Sequence, residues 1–328
     1  MVSRTKYLLD DDTVKRLFKK AGITGVTGIA PLGAGEYNAV YAVKADKEYV
    51  LKVAPAEDVP VLTYEKNMLQ SEVYWYNLLR TQTDIRVPEV YFEDASKTII
   101  PTAYFIMEKM DGTQMDKFRM TDSEKEVCAR KVAQMVAQLH KIQNPKFGYI
   151  QNGLYDNWYG ALTGMLENLI RDAARVGKKS PKGEKLLRFA QKYKSILEDV
   201  PCTMVNYDAW APNMLCHRLP NGEIEIAWID PERSFWGDRI FDFICLEFPK
   251  PLQKKKLSVR AYNEASDYPV TCSRAECIRF AFAEGVMGLI QEVEKYYRYT
   301  PHHFGWWRNI LCAAMLYKSA FRTLENPR

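Results

Sequence analysis

Val205-Asn206-Tyr207-Asp208-Ala209-Trp210-Ala211-Pro212-Asn213-Met214-Leu215, with Ile226-Ala227-Trp228-Ile229-Asp230-Pro231-Glu232 a few residues on, is the stretch on which the reading of this chain turns. Each run sets acidic or amide side chains at the end of an apolar, strand-like segment. Asp208 and Asn213 are five apart, and Asp230 follows a second strand after a turn at Pro220-Asn221-Gly222. The pattern predicts a β-hairpin carrying three oxygen ligands. A carboxylate able to take a hydroxyl proton, with an amide and a second carboxylate able to hold magnesium, is the minimum equipment for phosphoryl transfer from a nucleotide.

Working outward toward the N-terminus, the chain reads first as a short amphipathic helix, about 11–21. Val14, Leu17 and Phe18 are on its apolar face, Asp11 or Asp12 caps its start and Gly22 ends it. Strands follow at Val26 to Pro31, Ala39 to Val43 and Glu48 to Val53. Between the first two lies Leu32-Gly33-Ala34-Gly35-Glu36-Tyr37-Asn38, where glycines would let backbone N–H groups approach phosphate oxygens. Any glycine-rich hairpin looks much the same, so this segment needs context. Lys52 supplies it, being a lysine inside the apolar run Tyr49-Val50-Leu51-Lys52-Val53, where it must snorkel to an edge or find a partner. Tyr64 to Leu79 reads as a helix bearing Glu65 and Glu72, and either can pair with Lys52; Glu72, in the body of the helix, is favoured. Two further strands, Val87 to Phe92 and Ala103 to Glu108, lead into Lys109-Met110-Asp111-Gly112, a crossing whose backbone suits the edge of an adenine.

Beyond Ser123 the pattern is strongly helical, with Val127, Cys128, Val132, Met135, Val136 and Leu139 at helical spacing and His140 at the end. A lone histidine there is more often a packed or capping group than a catalyst. Helices continue over Trp158 to Ala174 and Glu184 to Leu197. After the hairpin, Gly237-Asp238-Arg239-Ile240-Phe241-Asp242 opens another, in which Asp238 caps and Asp242 braces a loop by accepting backbone N–H bonds. The tail from Arg274 to Leu324 is helical and aromatic, with Tyr296, Tyr297, Tyr299, Trp306, Trp307 and Tyr317. Such stripes are usually core.

Composition bounds the class. The 328 residues are 47% hydrophobic and 27% charged, which excludes disordered and fibrous chains. Two units are expected, 1–110 and 111–328. No apolar run approaches the ~18 residues that span a bilayer, and the N-terminus lacks a signal-peptide pattern, so a cytoplasmic protein without membrane partners is expected. Seven scattered cysteines with no Cys-x-x-Cys pair indicate free thiols. The net charge of +5 is mild and partly concentrated in 178–185, and no basic face with aromatic interleaving points to nucleic acid.

The order Gly33-Ala34-Gly35, Lys52, Glu72, Met107-Glu108, Leu139-His140, Asp208 with Asn213, Asp230 and Gly237-Asp238 with Asp242 resembles the aminoglycoside phosphotransferase and choline kinase family. The resemblance runs from about residue 24 to 248 and is most specific at Asp208-Ala209-Trp210-Ala211-Pro212-Asn213 and Ile229-Asp230-Pro231-Glu232. It implies an α+β, bilobal, protein-kinase-like fold: an antiparallel N-terminal sheet with one key helix, then a larger, mainly helical lobe. It implies ATP, or GTP, with Mg2+ as cofactors. Asp208 would be the catalytic base, and Asn213 and Asp230 the magnesium ligands. Lys52, fixed by Glu72, would hold the α- and β-phosphates; Gly33, Ala34 and Gly35 would cover the phosphates, and Met107 and Glu108 would flank the base. The acceptor would be a hydroxyl of a small molecule, and the enzyme a monomer or homodimer.

Two departures from the family pattern stand out. Asn206-Tyr207-Asp208 replaces His-Gly-Asp, so Asn206 must take over scaffold hydrogen bonds and Tyr207 needs a different backbone allowance from glycine. They motivate the rival reading, a non-catalytic nucleotide-binding module. The chain is also net positive, although Glu167, Asp172, Glu232, Glu284, Glu292 and Glu294 could form a local acidic patch, and Trp306 and Trp307 with tyrosines an aromatic box for a quaternary ammonium. Surface charge and core packing are the plainer readings of both sets. A protein-kinase activity is disfavoured, because only a few residues separate Asp230 from Gly237 and no Ala-Pro-Glu segment follows.

Overall fold

The structure is a computed structural model that describes residues 6–32 and 37–327; Gly33, Ala34 and Gly35 lie outside the described residues. Five strands, β1 (Gly28–Pro31), β2 (Ala39–Lys44), β3 (Glu48–Val53), β4 (Val90–Asp94) and β5 (Tyr104–Glu108), form an antiparallel sheet in the order β1-β2-β3-β5-β4. Their period-2 alternation sorts side chains between two faces. Ala39, Tyr41, Val43, Tyr49, Leu51, Tyr104 and Ile106 face outward into a small core closed by Val14, Leu17 and Phe18 of α1 (Asp11–Lys20). The same register sends Val50, Phe105 and Met107, and with them Lys52, to the inner face.

α1 is capped one residue earlier than its acidic run suggests. The Asp10 carboxylate accepts the Thr13 N–H at 2.7 Å. Gly22, at φ +77, ends the helix as expected, with Ile23 N–H returning to the Phe18 carbonyl.

α2 (Met68–Gln82) crosses the inner face and starts later than the expected Tyr64. Thr63–Glu65 form a separate 3₁₀ turn, with the Leu62 N–H donating to the Glu65 carboxylate, and Asn67 breaks the chain at φ 57. That break turns Glu65 away from the sheet and leaves Glu72 under it.

The second lobe is mainly helical. It comprises β6 (Thr113–Gln114), α3 (Asp122–Leu139), α4 (Trp158–Arg175), α5 (Pro181–Lys192), α6 (Lys194–Glu198), β7 (Thr203–Val205), β8 (Met214–Arg218), β9 (Ile224–Trp228), β10 (Phe235–Gly237), α7 (Lys256–Ala265), α8 (Arg274–Arg298) and α9 (Phe304–Glu325). Two expected single helices are split. Tyr193 separates α5 from α6, its hydroxyl donating to the Leu324 carbonyl, and Pro301, which cannot donate in a helix, sits in the break between α8 and α9.

The hairpin at the centre is β8 and β9, paired from Met214–Trp228 to Arg218–Ile224. Asp208 is not on it. Asp208 lies in the loop that leaves β7, which pairs instead with β10, while Asn213 precedes β8 and Asp230 follows β9. The aromatic tail is core only in part: Tyr317 is buried, but Phe304 and Trp307 are exposed. No described helix is long and apolar enough to cross a membrane.

Because Phe18 is fully buried and is α1's largest contribution to the outer core, Phe18→Ala should cost about 3–5 kcal/mol. A lowered urea midpoint in a denaturation titration would read it.

Candidate active site

Lys52 stands where the sheet, α2 and the β9 end converge. Its ammonium donates to Glu72 Oε2 at 2.7 Å, to Glu232 Oε2 at 3.1 Å and to Asp230 Oδ1. Glu232 also accepts from Asn38 Nδ2 at 3.0 Å, just before β2. Tyr76, one turn beyond Glu72 on α2, accepts the Asp230 N–H at 2.9 Å. Lys52 and Glu72 are buried, and burial alone would favour their neutral forms. The three carboxylates overcome this for Lys52 and hold it protonated well above its ordinary range. For Glu72, burial is the largest effect and, with Asp230 and Glu232 adding to it, outweighs Lys52 and pushes its carboxyl upward.

Glu72, Asp230 and Glu232 present oxygens within 4.8 Å of one another around the Lys52 ammonium. Even with Glu72 pushed toward its neutral form, the cluster has room for added positive charge beside Asp230 and Glu232. Asp230 offers the exposed side of the cluster, its side chain 41% accessible against 0% for Glu72. Asn213 adjoins it, its backbone carbonyl accepting the Ile229 N–H at 2.9 Å. The Asn213 Nδ2 is spent on the Asp208 backbone carbonyl and on Asp208 Oδ2, both at 3.0 Å, so its Oδ1 is the atom left to a ligand. An amide oxygen beside a carboxylate fits the hard-oxygen preference of Mg2+.

The Asp208 loop has no strand or helix of its own and is shaped by side chains. Asp242 accepts the Asn206 N–H at 3.1 Å and the Tyr207 N–H at 2.6 Å, the brace its sequence position predicted. Asp242 is in turn held by His140 Nε2 at 3.0 Å, while His140 Nδ1 meets the Tyr262 hydroxyl at 2.9 Å. His140 is therefore a packed clamp at the end of α3. Asn206 spans the loop, accepting the Asp208 N–H at 3.0 Å and donating to Ser234 Oγ at 3.3 Å.

Tyr207 adopts φ 61, the left-handed conformation that glycine favours. That conformation costs about 1–2 kcal/mol for a residue with a Cβ. Burial of the ring against Phe235 and Phe241, and a 2.6 Å hydrogen bond from its hydroxyl to the Ala283 carbonyl, offset it.

Arg233 is the functional neighbour that sequence reasoning missed. Its Nε lies 4.0 Å from Asp208 Oδ2, and its far nitrogen donates to Glu294 at 3.0 Å. Glu294 pairs with Arg298 at 2.7 Å, and Arg298 with Glu65, so Glu65 closes this chain of alternating charges instead of pairing with Lys52. Asp208 is only 22% exposed; burial, with Glu232 and Asp230, pushes its carboxyl up to about 6 against the opposing pull of Arg233 and Asn213. The signal that was available was the adjacency of Arg233 to Asp230-Pro231-Glu232.

The crossing is the expected one, residues 109–112, between β5 and β6. The Glu108 N–H goes to the Glu89 carbonyl and the Lys109 N–H to the Glu48 carbonyl, and Met107 lies within the β3–β5 ladder. Met110, like Asp111 and Gly112 after it, makes no backbone hydrogen bond among the described residues, so the N–H and C=O of this segment are open to a ligand. The acidic candidates are dispersed. Asp172 serves Thr63 and Arg175, Glu292 the Tyr317 hydroxyl, Glu232 Lys52 and Glu294 the arginines; Glu284 is buried and Glu167 exposed.

The sequence profile of the phosphotransferase enzyme family matches residues 28–253, a span that contains Lys52, Glu72, Asp208, Asn213, Asp230 and Glu232. The chain belongs to the phosphotransferase enzyme family. A search of curated proteins gave no match. Among solved structures, this phosphotransferase is similar to a Ralstonia eutropha JMP134 protein assigned as an aminoglycoside phosphotransferase, with TM-score 0.65, 15% identity, and 95% of this chain and 98% of that one covered. The GDP and kanamycin complex of APH(2")-IIIa matches with TM-score 0.63, 11% identity and coverage of 95% and 99%. A microcompartment-associated aminopropanol kinase matches with TM-score 0.59, 17% identity and coverage of 97% and 98%. At these identities the likeness concerns the fold, which is the bilobal kinase-like one.

Two predictions follow from the loop geometry. In metal-free protein the Asp208 carboxyl should titrate near pH 6, ionising as pH rises, and Arg233→Ala should move that titration to higher pH by removing the cation that opposes protonation; carboxyl-carbon NMR reads both. Tyr207→Phe removes the hydroxyl that donates to the Ala283 carbonyl on α8 and should cost about 1 kcal/mol, measured by urea denaturation.

Proposed function

We propose that this phosphotransferase moves the γ-phosphate of ATP or GTP to a hydroxyl of a small molecule, with Asp208 as the base. The observation that carries the reading is the bridge made by Asn213, whose Nδ2 holds Asp208 and whose carbonyl holds the strand end leading to Asp230. A base for the acceptor hydroxyl and a carboxylate for a cation are thereby kept in fixed relation.

In this reading, residues to about 110 receive the nucleotide and the remainder carries the acceptor. Lys52 meets the α- and β-phosphates, held in place by Glu72, with Gly33, Ala34 and Gly35 above the phosphates. The open backbone around Met110 takes the edge of the base, with Met107 and Glu108 flanking it. Asn213 and Asp230 would hold Mg2+, which when bound neutralises phosphate charge. The acceptor oxygen attacks the γ-phosphorus as the bond to the β–γ bridging oxygen breaks, and the hydroxyl proton passes to Asp208. The protein contributes positioning and charge, as a loose transition state requires. Arg233 keeps a larger fraction of Asp208 ionised at neutral pH than burial alone would permit.

Relatives of the same fold include the GDP and kanamycin complex of APH(2")-IIIa and an aminopropanol kinase, which supports a purine nucleotide as donor and a hydroxylated amine among acceptors. Free cysteines and the absence of a membrane-crossing helix among the described residues fit a cytoplasmic enzyme.

ADP or GDP release should be followed with Mg2+ and a panel of amino alcohols, sugars and aminoglycosides. Turnover with at least one acceptor is expected, and Asp208→Asn should lower kcat by about 10²–10⁴ with the nucleotide thermal shift retained. Nucleotide binding with no turnover on any acceptor would leave the protein a non-catalytic nucleotide-binding module.

A further inference from the structure

α9 is apolar on two sides. Its inner face packs against α8 and buries Ala313, Leu316, Tyr317 and Ala320. Its outer face carries Phe304, Trp307, Leu311 and Met315, three or four positions apart and therefore in one line along the helix. These four are 78%, 56%, 71% and 39% exposed, and no other large apolar side chain among the described residues is as exposed as Phe304 or Leu311. A single exposed apolar residue is ordinary, but a row of them on one helix face marks a surface that another body covers.

The charges around this row are mostly basic. The same outer face continues C-terminally into Lys318 and Arg322, both exposed. On one flank Lys182 sits over the Tyr317 ring at 4.6 Å and Lys185 over the Phe321 ring at 4.4 Å, both reaching across from α5. On the other flank Lys250 lies beside Met315 and the exposed Phe248. The acids that meet this rim are already neutralised, Glu325 by Lys185 and Glu247 by Lys250, each at 2.7 Å. Lys182, Lys318 and Arg322 have no ion pair among the described residues and leave the rim positive.

Shape and charge together select the covering body. A convex helix face cannot enclose a small molecule, which needs a concave site. A second copy of the chain, related by a two-fold axis, would set one positive rim against another. An anionic bilayer answers both features, because its headgroups attract the lysines and the arginine while its acyl boundary takes up the apolar row. The Trp307 ring suits that boundary, since its Nε1 already donates to the Pro301 carbonyl at 2.9 Å and carries no unsatisfied donor into lipid. α9 is not long and apolar enough to cross a membrane, so it would lie on one.

We propose that the outer face of α9 docks this protein on an anionic phospholipid surface, with Phe304, Trp307 and Leu311 entering the headgroup boundary and Lys182, Lys318 and Arg322 resting on the phosphates. The expectation of no membrane partner rested on the lack of a spanning segment, and a helix that lies in the interface needs none. None of these residues belongs to the Lys52 cluster or the Asp208 loop, so docking does not depend on the acceptor chemistry proposed above.

The test sediments the full chain with vesicles of phosphatidylcholine alone or with roughly one-third phosphatidylglycerol. Partition onto the anionic vesicles should exceed that onto the neutral ones about tenfold, and salt at about 0.5 M should remove most of the difference. Leu311→Glu should abolish binding, and Lys318→Glu with Arg322→Glu should bring it down to the neutral-vesicle level, with circular dichroism checking that each variant is folded. Lipid brominated on its acyl chains should quench the tryptophan fluorescence, and Trp307→Phe should lose most of that quenching. Should Leu311→Glu fail to fold, the charge reversal and Trp307→Phe still decide. Equal partition onto the two kinds of vesicle, binding that survives Leu311→Glu, quenching unchanged in Trp307→Phe, or a dimer in sedimentation velocity that Leu311→Glu dissociates would overturn the proposal.

Discussion

One lysine with three carboxylates on it governs how this protein is put together. Lys52 comes from β3, Glu72 from α2, and Asp230 and Glu232 from the segment after β9, positions 178 and 180 residues away from Lys52 in the chain. The ammonium is buried, so it cannot be left unpaired, and the carboxylates outnumber it, so they cannot be left without a cation. The cluster thereby fixes the sheet, the helix beneath it and the hairpin end relative to one another. It also leaves a local negative excess at its exposed edge, where Asp230 and Asn213 lie side by side.

The second constraint is that the Asp208 loop has no backbone ladder to support it. Its amides are satisfied by the Asp242 carboxylate and the Asn206 side chain instead, and Asp242 is itself clamped by His140. Tyr207 carries the backbone strain of this arrangement and repays it through a buried ring and a hydroxyl anchored on α8. Arg233 links the loop to a buried file of alternating charges through Glu294 and Arg298 to Glu65. Removing any one member strands its neighbours in low dielectric, so these residues respond as a set rather than singly.

Much of this was legible in the residues, and the exceptions share a cause. The sheet strands, α1 and the long helices follow from apolar spacing, because a period of 2 or 3.6 is a local property. Lys52 betrayed itself as a charge in an apolar strand, and Asp242 as an acid at the start of a helical turn. The pairing of Glu65 was not legible. Its choice of Arg298 over Lys52 depends on Asn67 taking a left-handed conformation, which turns the start of α2.

The sequence by itself determined the kinds of element, the face on which Lys52 would lie and the inventory of acids, amide and lysine that phosphoryl transfer requires. Those depend on side-chain chemistry and short-range periodicity, which a linear chain carries in full. The tertiary structure alone decided which acid meets which base, that Tyr207 takes a left-handed backbone conformation, and that Arg233 stands beside Asp208. Each of these depends on burial and on groups brought together from separate parts of the chain, and neither can be counted before the chain is folded.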